Sequence, residues 1–154
     1  MSTTQHLPDP DMLATLVTNV TNTMCGISFE ADSHHRPDID GYWRLATLAI
    51  PGQRSLIVTL CSSRAGCQAL GAALFSCPPE SLDQSMLDDS LCELLNMAAG
   101  QIKGALGLDQ ALGLPKIANE PELSTRVERA LREGVMLRSP ENHGLLIWVS
   151  EGGL

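Results

Sequence analysis

The sequence predicts an α/β fold of the α+β kind, a mainly antiparallel sheet with helices on one face. Three observations carry this reading. Two pairs of β-rich runs are each joined by a turn: "YWRLATLAI" to "SLIVTLC" through "PGQR", and "VMLRS" to "LLIWVSE" around "PENHG". Two stretches, residues 10–24 and 88–106, repeat apolar residues at helical spacing. Each of these helices precedes one of the hairpins, so the chain reads as two similar halves, a pseudo-repeat.

Taken in order, residues 1–8 read as a flexible tail on a single domain spanning 1–154. In "DPDMLATLVTNVTNTM", Asp9 can cap a helix and Pro10 suits its first turn. Leu13, Leu16, Val17, Val20 and Met24 form its apolar stripe, and Gly26 ends it. "ISFEA" reads as a short strand and "DSHHRPDIDG" as a loop, from its Asp, Pro and Gly content. After the first hairpin, "SSRAGCQALGAALF" is a small-residue helix capped by Ser62 or Ser63, and "SCPPES" is a turn. The long helix follows, then "LPKIANEP" and a helix in "ELSTRVERALREG". The sequence does not say where that last helix, around residues 122–133, sits in the fold.

Composition excludes several classes of function. At 154 residues and 44% hydrophobic content the chain can bury a real core, but only 3% is aromatic. Aliphatic side chains must therefore fill that core. A formal net charge of −8 with no basic block argues against nucleic acid and against an anionic membrane as partners. The N-terminus lacks the basic and apolar regions of a secretory signal, and no apolar run could span a bilayer. Cys25, Cys61, Cys67, Cys77 and Cys92 show no CxxC spacing. Free thiols in the cytoplasm are the expectation.

The long helix, "DDSLCELLNMAAGQIKGAL", carries an oddity. Leu87, Leu91, Leu94, Leu95, Ala98, Ile102 and Ala105 gather on one side. Asp89, Glu93, Asn96 and Gly100 fall within an arc of about 60° on the other, with Lys103 at its border. Asn and Gly cost roughly 0.5 and 1 kcal/mol relative to Ala in a helix interior. A helix that only packs has no reason to accept both on one exposed strip. Without a side chain, Gly100 would let a partner's backbone approach closely. A Glu and an Asn on a solvated face are ordinary in themselves, Asp89 could serve the helix start, and Gly100 could serve close packing.

The run D-xxx-E-xx-N-xxx-G, met by Asp89, Glu93, Asn96 and Gly100, resembles the signature helix of the CheC/CheX/FliY chemotaxis phosphatase superfamily. "ELLNMAAGQIKGAL" resembles its CheX-type form, and "LGLPKI" with Pro115 agrees with it downstream. The likeness covers roughly residues 12–149. It implies a CheX-like fold and hydrolysis of the aspartyl phosphate on a CheY-like receiver domain. Asn96 would position the hydrolytic water, and Glu93 would dock a receiver lysine. Asp89, Gly100 and Lys103 would face that partner. Mg2+ would belong to the phosphorylated receiver, with no cofactor or metal bound by this chain, and a homodimer is implied. The alternative is a non-catalytic CheX-like module that binds a receiver or mediates dimerisation. Asn19, Asn22 and Gly26 repeat the spacing of Glu93, Asn96 and Gly100, but with an amide in place of the carboxylate, so one site rather than two is expected.

Other candidates rank lower. His34 and His35 stand beside Asp32, Asp38 and Asp40, but in a loop without further ligand spacing. Cys92 lies about 100° around the helix from Glu93 and has no local base. Gly66 and Gly71 lack the Gly-Lys-Ser/Thr ending of a phosphate loop. Trp43 and Trp148 fall in strands, as core or interface residues.

Overall fold

In a computed structural model, residues 7–32, 43–53 and 55–152 are described. The elements are α1 (Pro10–Cys25), β1 (Glu30–Ala31), β2 (Arg44–Ile50), β3 (Leu56–Ser62), α2 (Arg64–Phe75), α3 (Gln84–Ala105), β4 (Lys116–Ile117), α4 (Glu120–Glu133), β5 (Val135–Arg138) and β6 (Gly144–Glu151). The six strands form one sheet in the order β1-β5-β6-β3-β2-β4. Every neighbouring pair is antiparallel. Both predicted hairpins are present.

The strand order records the two halves. Exchanging β1 with β4, β2 with β5 and β3 with β6 turns the order into its own reverse. That is the pattern of an approximate two-fold between the central strands β3 and β6. Under it α1 corresponds to α3, which is the pseudo-repeat seen in the sequence. Helix α4 lies between β4 and β5; the matching connection, from β1 to β2, runs through residues 33–42, outside the described residues.

Side chains alternate along the strands and divide between two apolar clusters. Ala46, Leu48, Ile50, Leu56, Val58, Leu60, Leu145, Ile147 and Val149 meet α1, α2 and α3 in the larger cluster. Leu45, Cys61, Met136 and Leu146 point the other way and meet Val127 and Ala130 of α4, with Leu123, Leu131 and Trp148 partly buried beside them. Three helices thus cover one face of the sheet. The segment that the sequence left unplaced, α4, covers part of the second. Its apolar residues at 123, 127, 130 and 131 form a narrow stripe on a largely charged helix, as befits one that covers a sheet face alone.

Local chemistry sets the helix ends. The Met12 N–H donates to Asp9 Oδ1 at 2.8 Å, and Gly26 closes α1 with φ +67°. Of the two capping candidates it is Ser63 that caps α2, accepting from the Gly66 N–H at 3.0 Å. Ser62 is buried and donates to the Gly144 carbonyl at 2.8 Å. Helix α3 starts at Gln84, earlier than the sequence suggested, because Asp83 accepts from the Met86 N–H at 2.9 Å. Gly71 lets α2 close on α3, since a Cβ there would lie 2.8 Å from Ser90 Oγ. All five cysteines are free. Among the described residues no helix is long and apolar enough to cross a membrane.

Candidate functional site

The site is built on α3. Leu87, Leu91, Leu94, Leu95, Ala98 and Ile102 are buried beneath it, while Asp89, Glu93, Asn96 and Gly100 are exposed and Lys103 is half-buried. Ala105, placed on the apolar side by its spacing, is exposed because the helix ends there. Burying one large aliphatic side chain contributes roughly 1.5–3 kcal/mol. Five of them on this helix outweigh the propensity cost of Asn96 and Gly100 several-fold, so α3 can carry unfavourable residues on its free side. An ion pair fixes its position: Asp88 meets Arg44 of β2 at 2.9 Å and accepts from Gln84 Nε2 at 3.1 Å.

Two of the bland explanations now fail on geometry. Asp89 lies in the second turn of α3, beyond the first turn in which the helix dipole favours an acid. Gly100 serves no close packing among the described residues, because a Cβ there would meet none of them within 4 Å. Glu93 and Asn96, three residues apart, have Cβ atoms about 5–6 Å from one another. A carboxylate and a carboxamide therefore stand side by side in solvent. Lys103, in the last turn, also complements the C-terminal end of the helix dipole.

Asp89, Glu93 and Asn96 form the floor of an open groove of about 610 Å3. Its walls come from other elements: Met24 at the end of α1, Phe75 at the end of α2, and Leu114 in the loop before β4. Gly100 and Lys103 continue the strip beyond that groove. Sequence reasoning missed these walls and placed Met24 in the core. It is 37% exposed, because its helix stops two residues later and the side chain reaches the groove instead. A leucine between Gly113 and Pro115 in "LGLPK" was the available signal for Leu114.

The loop that carries Leu114 is tied down on both sides. The Gly113 N–H donates to the Ala49 carbonyl at 2.7 Å. A Cβ at position 113 would also lie 2.7 Å from that oxygen, so only glycine allows the approach. Three residues later Lys116 and Ile117 pair with Thr47 and Ala46 of β2.

Other candidates stand aside. Cys92 lines the groove half-buried, and burial followed by the nearby Asp88 and Asp89 pushes its thiol above the usual range. Burial likewise pushes the Cys67 thiol up to about 12. Neither is poised as a thiolate. On α1, Asn19 and Asn22 are exposed, but Gly26 is the left-handed cap that stops the helix, not an interior residue like Gly100. The His34–His35 candidate lies outside the described residues, and no cluster of potential metal ligands occurs within them.

Comparison with known proteins converges on one family. The family model "Chemotaxis phosphatase CheX" matches residues 44–136, more than half of the chain. A CheX–CheY–BeF3–Mg2+ complex from Borrelia burgdorferi is similar in fold, with TM-score 0.69 and 11% identity over 95% of this chain and 99% of that one. A CheX from Desulfovibrio desulfuricans gives 0.63 and 14% over 91% and 96%. One from Vibrio vulnificus gives 0.61 and 13% over 90% and 93%. No curated protein matches the chain in sequence. The structural likenesses establish the fold, and the family match spans β2 through the site helix into β5. The chain belongs to the CheX family of chemotaxis phosphatases.

Proposed function

We propose that this chain hydrolyses the aspartyl phosphate of a CheY-like receiver domain docked against α3. The observation that carries the proposal is the exposed pair Glu93 and Asn96 in a groove with apolar walls. Such a surface is shaped for a protein. The similarity to a CheX that is complexed with CheY and Mg2+ supports that choice of partner.

The chemistry asks little of the catalyst. An acyl phosphate is already activated, and a water must be held in line with the bond to be broken. The water oxygen attacks phosphorus, the bond from phosphorus to the aspartyl oxygen breaks, and the carboxylate and inorganic phosphate leave. The Asn96 carboxamide can accept a hydrogen bond from that water while its NH2 steadies a phosphoryl oxygen, with no change of charge. Glu93 takes a different role. Close to a phosphoryl group a carboxylate is repelled unless cations stand between them, and the described residues lining the groove include no Lys or Arg. The receiver supplies the cations: a lysine, which pairs with Glu93, and the Mg2+ that it binds itself. Asp89, Gly100 and Lys103 extend the docking strip on either side.

The test is phosphate release from candidate phosphorylated receivers, using wild type and Asn96→Ala. The expected result is a loss of roughly 10²-fold in kcat with receiver binding retained, since a misplaced water costs about that much. Wild-type turnover in the variant would refute the role of Asn96. Binding by the wild type without any hydrolysis would leave a receiver-binding module.

A further inference from the structure

We propose that Leu114 is the apolar anchor of the groove and selects receivers that present an apolar side chain next to the lysine meeting Glu93. The inference rests on the receiver-docking reading and names what that surface recognises. A lone exposed leucine is unremarkable on a protein surface. This one is 81% exposed, against 42% for Phe75 and 37% for Met24. Its backbone has little freedom to fold it away. Gly113 is held on Ala49, Lys116 and Ile117 are held on β2, and Pro115 restricts φ between them. The side chain is thus presented to solvent by a fixed backbone, and much of the ordering entropy of an interface contact is already lost before binding.

The surroundings define the occupant. Met24 and Phe75, from two different helices, line the same groove as Leu114. Three segments of the chain thus place exposed apolar side chains around an acidic floor of Asp89 and Glu93. Charge complementarity calls for a cation above the floor, and the walls call for apolar side chains on either side of it. Desolvated, well-packed contacts supply most of an interface's affinity, while charge pairs give orientation and on-rate. Leu114 therefore contributes affinity and choice of receiver, and Asn96 contributes the chemical step.

The test compares Leu114→Ser and Leu114→Met with wild type on phosphorylated CheY-like receivers. Both kcat and KM are measured by phosphate release, and Kd is measured in the Asn96→Ala background, where the phosphorylated receiver persists. Leu114→Ser is expected to raise KM and Kd about tenfold or more, from the lost burial of one leucine, with kcat within about twofold. Leu114→Met keeps the volume and is expected to restore both constants. Unchanged KM and Kd in Leu114→Ser, or a fall in kcat alone, overturns the proposal. Receiver binding without hydrolysis by the wild type defeats the phosphatase reading, and the Kd comparison then decides the role of Leu114 by itself. Failure of the wild type to bind any phosphorylated receiver overturns both.

Discussion

Gly100→Ala separates the two things a helix glycine can be for. The position is interior to the 22-residue α3, exposed, and open, with none of the described residues within 4 Å of an added Cβ. Relieving glycine's helix penalty should stabilise the protein by about 0.5–1 kcal/mol, and no steric clash opposes the gain. For a domain of this size that corresponds to a rise in Tm of roughly 1–4 °C. Docking should respond in the opposite sense. If a receiver closes directly on the bare backbone, the methyl group intrudes into a packed contact, at a cost of about 1–3 kcal/mol. That is a rise in KM of roughly 5- to 150-fold. Thermal melts and phosphate-release kinetics on one preparation read both effects. A higher Tm with unchanged KM would show that no partner touches Gly100. A lower Tm would show that the helix surface there is not open.

Two further outcomes are expected. Glu93→Gln should weaken receiver binding and flatten its dependence on salt, because one close charge pair is lost; titrations at low and moderate ionic strength check this, and unchanged affinity and salt slope would remove Glu93 from docking. Asn22→Ala should retain wild-type phosphate release on the receiver that exposes the defect of Asn96→Ala, and loss of roughly half the activity or more by the folded variant would restore a second site.

What the sequence disclosed follows the range of the physics involved. Hairpins, caps and helical stripes are set by residues a few positions apart, and Asp9, Gly26 and the paired runs of β2 and β3 read correctly. The strip stands out because Asn96 and Gly100 are costly in a helix interior, but only its resemblance to a known signature helix marks it as a site; its exposure is what the structure bears out. Two features were out of reach. The position of α4 depends on which sheet face is left open, a long-range property that its own stripe at 123, 127, 130 and 131 does not specify. The groove walls come from three segments far apart in the chain, and Met24 has the angular position of a core residue. Only the end of α1 decides that it emerges beside Asn96.

The approximate symmetry shows where the two halves part at the candidate site. Helices α1 and α3 are equivalent in the topology, yet α1 has 16 residues and α3 has 22. At Gly26 the chain enters the left-handed region and stops, its N–H donating to the Asn22 carbonyl at 3.0 Å. At Gly100 the helix runs on for more than another turn, which keeps the bare backbone in line with Asn96 as a continuous surface. The end of α1 is then anchored from below. The buried Thr21 hydroxyl donates to the Ile27 carbonyl at 2.8 Å and fixes the turn that follows. With that turn fixed, Met24 stands at the edge of the α3 groove as a wall. On α1 the position matching Glu93 is the amide Asn19, and the exposed strip ends with the helix at Cys25. A pair of like elements thus becomes a floor and a wall of one groove, and the proposed single site rests on the asymmetry between them.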